Sequence, residues 1–358
     1  MDFLVARDDP RSCRFADGEP PEPADGEALL RVESFGLTSN NVTYALLGDD
    51  LGYWRFFPAA EGWGKLPVWG FAEVAKSRAA ALDEGVRVFG YLPLSTQLVV
   101  VPDRVDRRGF VDAAPHRAGL PSAYQGYRST TDDPAYDPGR EGEQILFRPL
   151  FYTSFLIDDL LAEEGCFGAD SILVSSASSK TALIAAFLLR RRGGPELVGL
   201  TSPGNADFVR RIGVYDQVAL YGEVESLARR RAVYVDLSGD AAVRGAVHAR
   251  FGELLAHSAA VGMTHWDRIG PPRGSDLPGP TPQFFFAPDR VRQRSAEWGP
   301  AELEARVRAA WGPFVEWTQS WLQVRRAAGP EAVRTTYLEL LDGRTDPAVG
   351  HVLSLAGD

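Results

Sequence analysis

Residues 170–181, DSILVSSASSKT, with the apolar helical run 182–192, limit what this chain can become more than any other segment. A short apolar run leads into a polar turn and then into a helix, the order of strand, tight turn and helix start. The pattern repeats at once, with 196–200 as strand, 201–205 (TSPGN) as turn and a helix through Arg211. Successive units of this kind predict a parallel sheet with right-handed crossovers, a doubly wound fold that holds phosphorylated ligands against helix N-termini. The glycines that usually let backbone approach a pyrophosphate are replaced by Ser175, Ser176, Ala177, Ser178 and Ser179.

The alternation extends on both sides. Strands are expected at 171–175, 196–200, 217–221, 232–236 and 253–259, with helices at 178–192, 203–212, 223–228 and 239–250. A sixth strand is expected at 283–286, and amphipathic helices at 288–298 and 300–327. A mostly apolar helix at 148–164 precedes them. The first part reads as strands at 27–35, 66–75, 85–91 and 97–102 separated by Gly and Pro, hence a twisted partial barrel. Residues 115–142 are polar and irregular, an expected crossing between domains. Segments 333–341 and 348–354 read as strands that return to the first sheet. The expected division is a β-rich substrate domain of 1–148 with 325–358, and a dinucleotide-binding domain of 149–324. No solenoid repeat is present.

The 358 residues suit two domains, each with its own core. A formal net charge of -10 without a dense Lys/Arg block argues against a nucleic-acid partner, which needs a positive field. Short basic runs at 190–192 and 229–231 sit at expected helix ends, where they complement the dipole. Two cysteines, Cys13 and Cys166, make neither a disulfide framework nor a thiolate cluster. The start does not read as a signal peptide, and no apolar run is long enough to span a bilayer, so a cytoplasmic location with no membrane partner is expected.

In the turn at 175–179 small side chains permit close backbone approach, and their hydroxyls can donate to phosphate oxygens. The following helix supplies free N–H groups and a favourable dipole. Lys180 adds a positive charge or points to solvent. One serine suffices to cap a helix, so Ser176, Ala177, Ser178, Ser179 and Lys180 are candidate phosphate contacts. The segment lacks the glycines of a nucleoside-triphosphate loop. The end of the second strand sorts the dinucleotide, because an acid there repels a 2′-phosphate. Here Thr201, Ser202 and Asn205 offer hydroxyl and amide groups, and no carboxylate intervenes before Asp207. NADP is therefore favoured over NAD. Tyr221, ending the next strand, either lies against adenosine or packs.

This arrangement resembles the medium-chain dehydrogenase/reductase superfamily, especially its zinc-free quinone oxidoreductase-like branch, and most of all the DUF2855 family. The likeness rests on 32–41 (VESFGLTSNN), 67–70 (PVWG), 85–90 (GVRVFG), 199–202 (GLTS) with Asn205, and 212–216 (IGVYD). The resemblance implies an α/β chain with a β-rich GroES-like partial-barrel domain and a Rossmann-type doubly wound domain. It also implies NADP, a reductase reaction and a homodimer paired along a late sheet edge near 283–286. The departures are the serine turn, Val86 where an Asp is usual, Asn41 where many members carry Asp, and no cysteine zinc ligands.

Five histidines, His116, His248, His257, His265 and His351, lack metal-ligand spacing, so no metal is expected. Zinc-free hydride transfer needs a donor for the developing oxyanion. Tyr44, and Asn41 beside Asn40, lie in the segment the resemblance places near nicotinamide; each also has an ordinary packing or capping reading. His265 follows the fifth strand and is a further catalytic candidate. Arg148 either contacts a cofactor phosphate or pairs with an acid. The aromatics Tyr53, Trp54, Phe56, Phe57, Trp63 and Trp69 suggest a cleft for a small apolar carbonyl compound. A reductase of a ketone, enone or quinone-like substrate is the first expectation. A non-catalytic NADP-binding sensor or accessory protein, and a lyase or hydrolase on the same scaffold, are the alternatives.

Overall fold

The computed structural model describes residues 1–50, 52–261 and 277–356. The chain opens with β1 (Asp2–Ala6), β2 (Cys13–Ala16), β3 (Ala28–Leu37), α1 (Ser39–Leu46), β4 (Trp63–Lys65), β5 (Pro67–Ser77), β6 (Arg87–Pro93), β7 (Gln97–Val100), β8 (Pro102–Asp106), β9 (Gly109–Asp112) and β10 (Gly126–Ser129). After α2 (Glu141–Glu163) come β11 (Ser171–Val174), α3 (Lys180–Arg192), β12 (Glu196–Thr201), α4 (Ala206–Ile212), β13 (Gln217–Leu220), β14 (Ala232–Asp236), α5 (Ala241–Phe251), β15 (Leu255–Ala260) and β16 (Gln283–Phe284). The chain then runs through α6 (Ala287–Trp298), α7 (Pro300–Thr318), β17 (Gln323–Ala328), α8 (Pro330–Leu341) and β18 (Val349–Ser354). Two compact units result, one of Met1–Leu146 with Gln323–Asp358, the other of Phe147–Leu322.

The first unit is built on a nine-stranded sheet ordered β17-β18-β3-β5-β6-β10-β9-β8, with β7 also paired to β3, and a three-stranded sheet β2-β1-β4. Long β3, β5 and β6 pair antiparallel and carry its core, including Leu30, Val32, Phe35, Val68, Val88 and Tyr91. Gly70 is required where the strands meet: a Cβ there would lie 2.1 Å from the Ser34 carbonyl oxygen. The second unit holds a six-stranded parallel sheet ordered β13-β12-β11-β14-β15-β16. That is the strand order of a Rossmann sheet. Its central strands β11, β12 and β14 are near-continuously buried, as a sheet covered on both faces requires. A second core joins α2, α3 and α7 through Phe151, Phe187, Phe314 and Trp317.

Several expectations are corrected. Segment 333–341, read as a strand, lies within α8. Pro330 occupies the first turn after Gly329, and Val333, Tyr337 and Leu340 are buried at a spacing of four and three, a helical period that their β-branched and aromatic neighbours obscured. Residues 323–328, read as the end of a helix, form β17, parallel to β18 in register Gln323↔Val349 through Ala328↔Ser354. Within 115–142, β10 pairs with β6 and β9, so this stretch contributes to the first sheet. The helix expected at 223–228 is a 3-10 turn over Tyr221–Ser226. Strands β1 and β2 were not anticipated.

Candidate functional site

In the second unit β11 delivers the chain to the serine turn and α3 carries it away. Ser176 adopts φ +53° without being glycine. Serine tolerates this left-handed conformation at a modest cost, so the sharp corner is retained without a glycine. The turn closes through Ser179 N donating to the Ser176 carbonyl at 2.7 Å, and Ala177, fully buried, donates its amide to Leu200 O at 3.0 Å. Gly199 in β12 leaves room for Tyr215, whose hydroxyl lies 3.1 Å from the Ala177 carbonyl oxygen.

The serines divide by role. Ser175 is fully buried; its hydroxyl donates to Asp236 Oδ1 at 3.0 Å and accepts from the amides of Leu237 at 3.0 Å and Ser238 at 3.1 Å. Asp236 is fixed in turn by Gly239 N at 3.0 Å and by Arg244 Nε at 2.8 Å. Ser175 thus ties the end of β11 to the loop after β14. Ser178 Oγ accepts from Asn205 Nδ2 at 3.0 Å, and Ser179 Oγ caps α3 by accepting from Ala182 N at 3.3 Å. Both act as acceptors, so each hydroxyl hydrogen is left to donate elsewhere. Ser176 N donates to the Tyr221 hydroxyl at 3.2 Å, which brings Tyr221 over the turn; partial burial raises that phenol above its ordinary pKa. Thr201 is enclosed at the end of β12 with no exposure, and its hydroxyl has no hydrogen-bond partner. Ser202 and Lys180 are half-buried beside the turn, and Arg148 lies half-buried on α2.

The other candidates lie in the first unit. Asn41 stands at the third position of α1 and completes a capping box: Thr38 N donates to its Oδ1 at 2.8 Å. Its Nδ2 donates to Pro67 O at 2.8 Å, so both ends of the buried amide pin α1 to β5. Asn40 Nδ2 donates to the Tyr44 hydroxyl at 2.7 Å. Tyr44 is only 3% exposed, and burial lifts its phenol far above the usual range. It joins a ring of aromatics: Tyr44 to Tyr53 at 4.5 Å between centroids, Tyr53 to Tyr124 at 6.3 Å, and Tyr124 to Trp69 at 6.0 Å. Trp69 to Tyr91 at 5.1 Å and Tyr91 to Tyr44 at 5.8 Å close it. Trp69 and Tyr91 are direct cross-strand partners on β5 and β6. Sequence reasoning singled out neither Tyr91 nor Tyr124; the first sat inside an apolar strand, the second in an apparently irregular segment.

His265 lies outside the described residues. His248 bridges Pro278 O and Ser258 Oγ at 3.0 Å each, and His257 stacks on Phe167 with centroids 4.2 Å apart; burial lowers the pKa of both, the mark of packed neutral imidazoles. Among the described residues no three His, Cys, Asp or Glu side chains group so as to hold a metal. Concavities of about 760 and 480 Å³ in the second unit share Arg192. The larger is lined by Asp170, Pro195 and Arg230, which precede β11, β12 and β14, at the end of the sheet opposite the serine turn. Ligands of such sheets sit at the carboxyl ends of the strands.

The family model of DUF2855, described as a protein of unknown function, matches residues 35–346. The chain belongs to the DUF2855 family. No curated protein matches this DUF2855 chain. Among solved structures it is similar to CurA from Vibrio vulnificus in complex with NADPH, at 13% identity over 97% of this chain and 94% of that one, with a TM-score of 0.60. It is similar to YhdH of E. coli K-12 with bound NADPH, at 14% identity over 99% and 100% of the chains and a TM-score of 0.57. A quinone oxidoreductase from Coxiella burnetii gives 12% identity over 98% of each chain and a TM-score of 0.54. At this identity the likeness is one of fold: a β-rich unit and a parallel Rossmann-type unit, as in medium-chain dehydrogenase/reductase proteins.

Proposed function

We propose that this DUF2855 protein is an NADPH-dependent, zinc-free reductase of a ketone, enone or quinone-like apolar carbonyl compound. The observation that carries the reading is the serine-lined turn at the carboxyl end of β11, with α3 rising directly from it, in a sheet of Rossmann order. Two solved structures of similar fold hold NADPH, which adds support.

The residues of the turn suit a dinucleotide on three counts. The hydroxyls of Ser178 and Ser179 retain hydrogens to donate. Thr201 Oγ1 is a buried polar atom without a partner at the end of the second strand. Between Thr201 and Ala206 no carboxylate opposes a 2′-phosphate. In this reading Ser176 N–H, Ser178, Ser179, Lys180 and the first turn of α3, with buried Ala177 allowing close approach, hold the paired phosphates. Thr201 and Ser202 receive the 2′-phosphate, Asn205 orients Ser178, Arg148 adds charge, and Tyr221 releases the Ser176 amide and packs against the adenosine half. NADPH supplies the hydride when bound. Tyr44 donates to the substrate oxygen: because Asn40 donates to its hydroxyl, the phenol hydrogen is directed elsewhere. The stacked, exposed pair Phe284 and Phe286, with centroids 5.8 Å apart at edge strand β16, fits a homodimer formed along that edge.

One observation favours a second reading, NADP binding without turnover: Asn41 is committed at both ends of its amide and Tyr44 is enclosed. Titration of the purified protein with NADPH and NADH, followed by a carbonyl panel read by loss of NADPH absorbance, separates the two. Consumption of NADPH with a carbonyl compound supports the reductase, and binding without consumption selects the second reading. Preference for NADH sinks the argument from Thr201 and Ser202, and no binding of either nucleotide refutes both readings.

A further inference from the structure

The smaller concavity of the second unit, about 480 Å³, is walled by four helices. Phe155, Asp159 and Glu163 line it from α2 at a spacing of four, one face of that helix. Arg192 enters from the end of α3, Arg294 and Trp298 from α6, and Arg306 from α7. Each arginine is already oriented by a carboxylate. Arg192 donates to buried Asp158 from Nε at 2.9 Å and from Nη2 at 2.5 Å. Arg294, only 6% exposed, donates from Nε to Asp159 at 2.7 Å and from Nη1 to Glu163 at 3.0 Å and to Glu297. Arg306 donates from Nε to Glu302 at 2.8 Å. Arg192 Nη1, Arg294 Nη2 and both Nη groups of Arg306 make no hydrogen bond among the described residues. Trp298 gathers two of the three, with Arg306 Cζ 4.1 Å and Arg294 Cζ 4.6 Å from its ring centroid. A guanidinium held along one edge presents its remaining N–H groups in a fixed direction, ready for a planar anion.

We propose that this concavity binds a small aromatic monocarboxylate, its carboxylate on the open Nη groups of Arg306 and Arg192 and its ring against Phe155 and Trp298. The site shares no residue with the serine turn and stands independently of the reductase reading. Its volume suits a ligand of that size, and its mixture of aromatic wall and a few charged groups is that of a small-molecule pocket. The acids set the ligand's charge. Hydrogen bonds from Arg290, and then from Arg294, hold Glu163 below the usual carboxylate range, so it stays ionised at neutral pH and repels a second negative charge. A phosphate dianion is thereby disfavoured, whereas one carboxylate places its two oxygens on the guanidinium fork.

The test is a ligand-observed NMR titration of the full chain with phenylacetate, at neutral pH and low salt. The parent protein is expected to bind it with a dissociation constant of about 1 mM or tighter. Arg306→Gln removes the open fork and is expected to weaken binding about tenfold or more; Arg306→Lys keeps the charge without the fork and is expected to fall between the two. Arg308→Gln, an exposed change on the same helix outside the concavity, serves as control and leaves binding unaltered. Arg306 is itself exposed, and thermal midpoints check that its variants stay folded. 2-Phenylethanol, which has the ring without the charge, and inorganic phosphate, which has charge without the ring, are both expected to leave bound phenylacetate in place. No saturable binding by the parent, or equal losses in Arg306→Gln and Arg308→Gln, overturns the proposal. Displacement by phosphate at the same concentration as phenylacetate shows a general anion patch, and displacement by 2-phenylethanol shows a merely apolar one; either result overturns it as well.

Discussion

Replacing Ser175 by alanine separates the serine that builds the turn from those proposed to face a ligand. Ser175 Oγ makes one buried bond to a carboxylate and two part-buried bonds to amides. Loss of the carboxylate bond is worth about 1.5–3 kcal/mol. Ser238 N also reaches Asp236 Oδ1 at 3.1 Å and stays paired, so its loss is minor. The Leu237 amide loses its hydroxyl acceptor and adds about 1–2 kcal/mol for an unsatisfied buried donor. The total is about 2.5–5 kcal/mol, a fall of roughly 5–20 °C in the melting midpoint of a unit this size. Ser178→Ala removes only an acceptor for Asn205, so its midpoint is expected to move by less than about 1 kcal/mol equivalent while NADPH affinity falls about tenfold. Differential scanning calorimetry and nucleotide titration on both variants read the contrast. A Ser175→Ala protein as stable as the parent, or a Ser178→Ala protein with parental NADPH affinity, refutes the division of roles.

In the first unit Arg117 and Asp112 form an almost wholly enclosed ion pair at 3.1 Å. Arg117→Met alone strands the carboxylate and is expected to cost about 3–5 kcal/mol, whereas adding Asp112→Asn recovers most of it; denaturant midpoints of the single and double variants check this. Burial raises the pKa of Tyr44, Tyr53, Tyr91 and Tyr124. The unfolded chain therefore loses these protons first, so their contribution is fully present below about pH 10 and is lost as pH rises above it. A pH series of denaturation curves should show stability falling on the alkaline side, with tyrosinate absorbance appearing together with unfolding; early ionisation of these phenols in the folded protein contradicts their burial. Phe284→Asp is expected to convert a dimer to a monomer in sedimentation, and an unchanged mass removes β16 as the interface.

The second unit was legible because its central strands β11, β12 and β14 are buried on both faces and each turn is punctuated by polar residues, Gly or Pro. That makes the period of the sequence the period of the structure. The tail defeated the same reasoning. Residues 323–328 (QVRRAA) are mostly exposed and include good helix formers, and only their pairing with β18 makes them a strand. In α8 the Thr335, Thr336 and Tyr337 run suggested a strand, yet Val333, Tyr337 and Leu340 share one buried face. Local propensity lost to tertiary burial in both cases.

The serine turn shows how far a site can be read before folding. The position of the corner followed from the strand before it and the helix after it, and five adjacent small side chains drew attention to a phosphate. In sequence the four serines are equivalent. What distinguishes Ser175 is Asp236, 61 residues away on another strand, and what distinguishes Ser178 is Asn205, 27 residues away. Likewise the sequence left Asn41 open between a capping role and one beside Tyr44; its partners are Thr38 and Pro67, while Asn40, one position earlier, takes the contact with the phenol. One helical residue, a rotation of about 100°, decides which of two identical side chains faces the aromatic ring. Residue type therefore picked out candidate positions, and pairing in the fold told which of their atoms are already engaged.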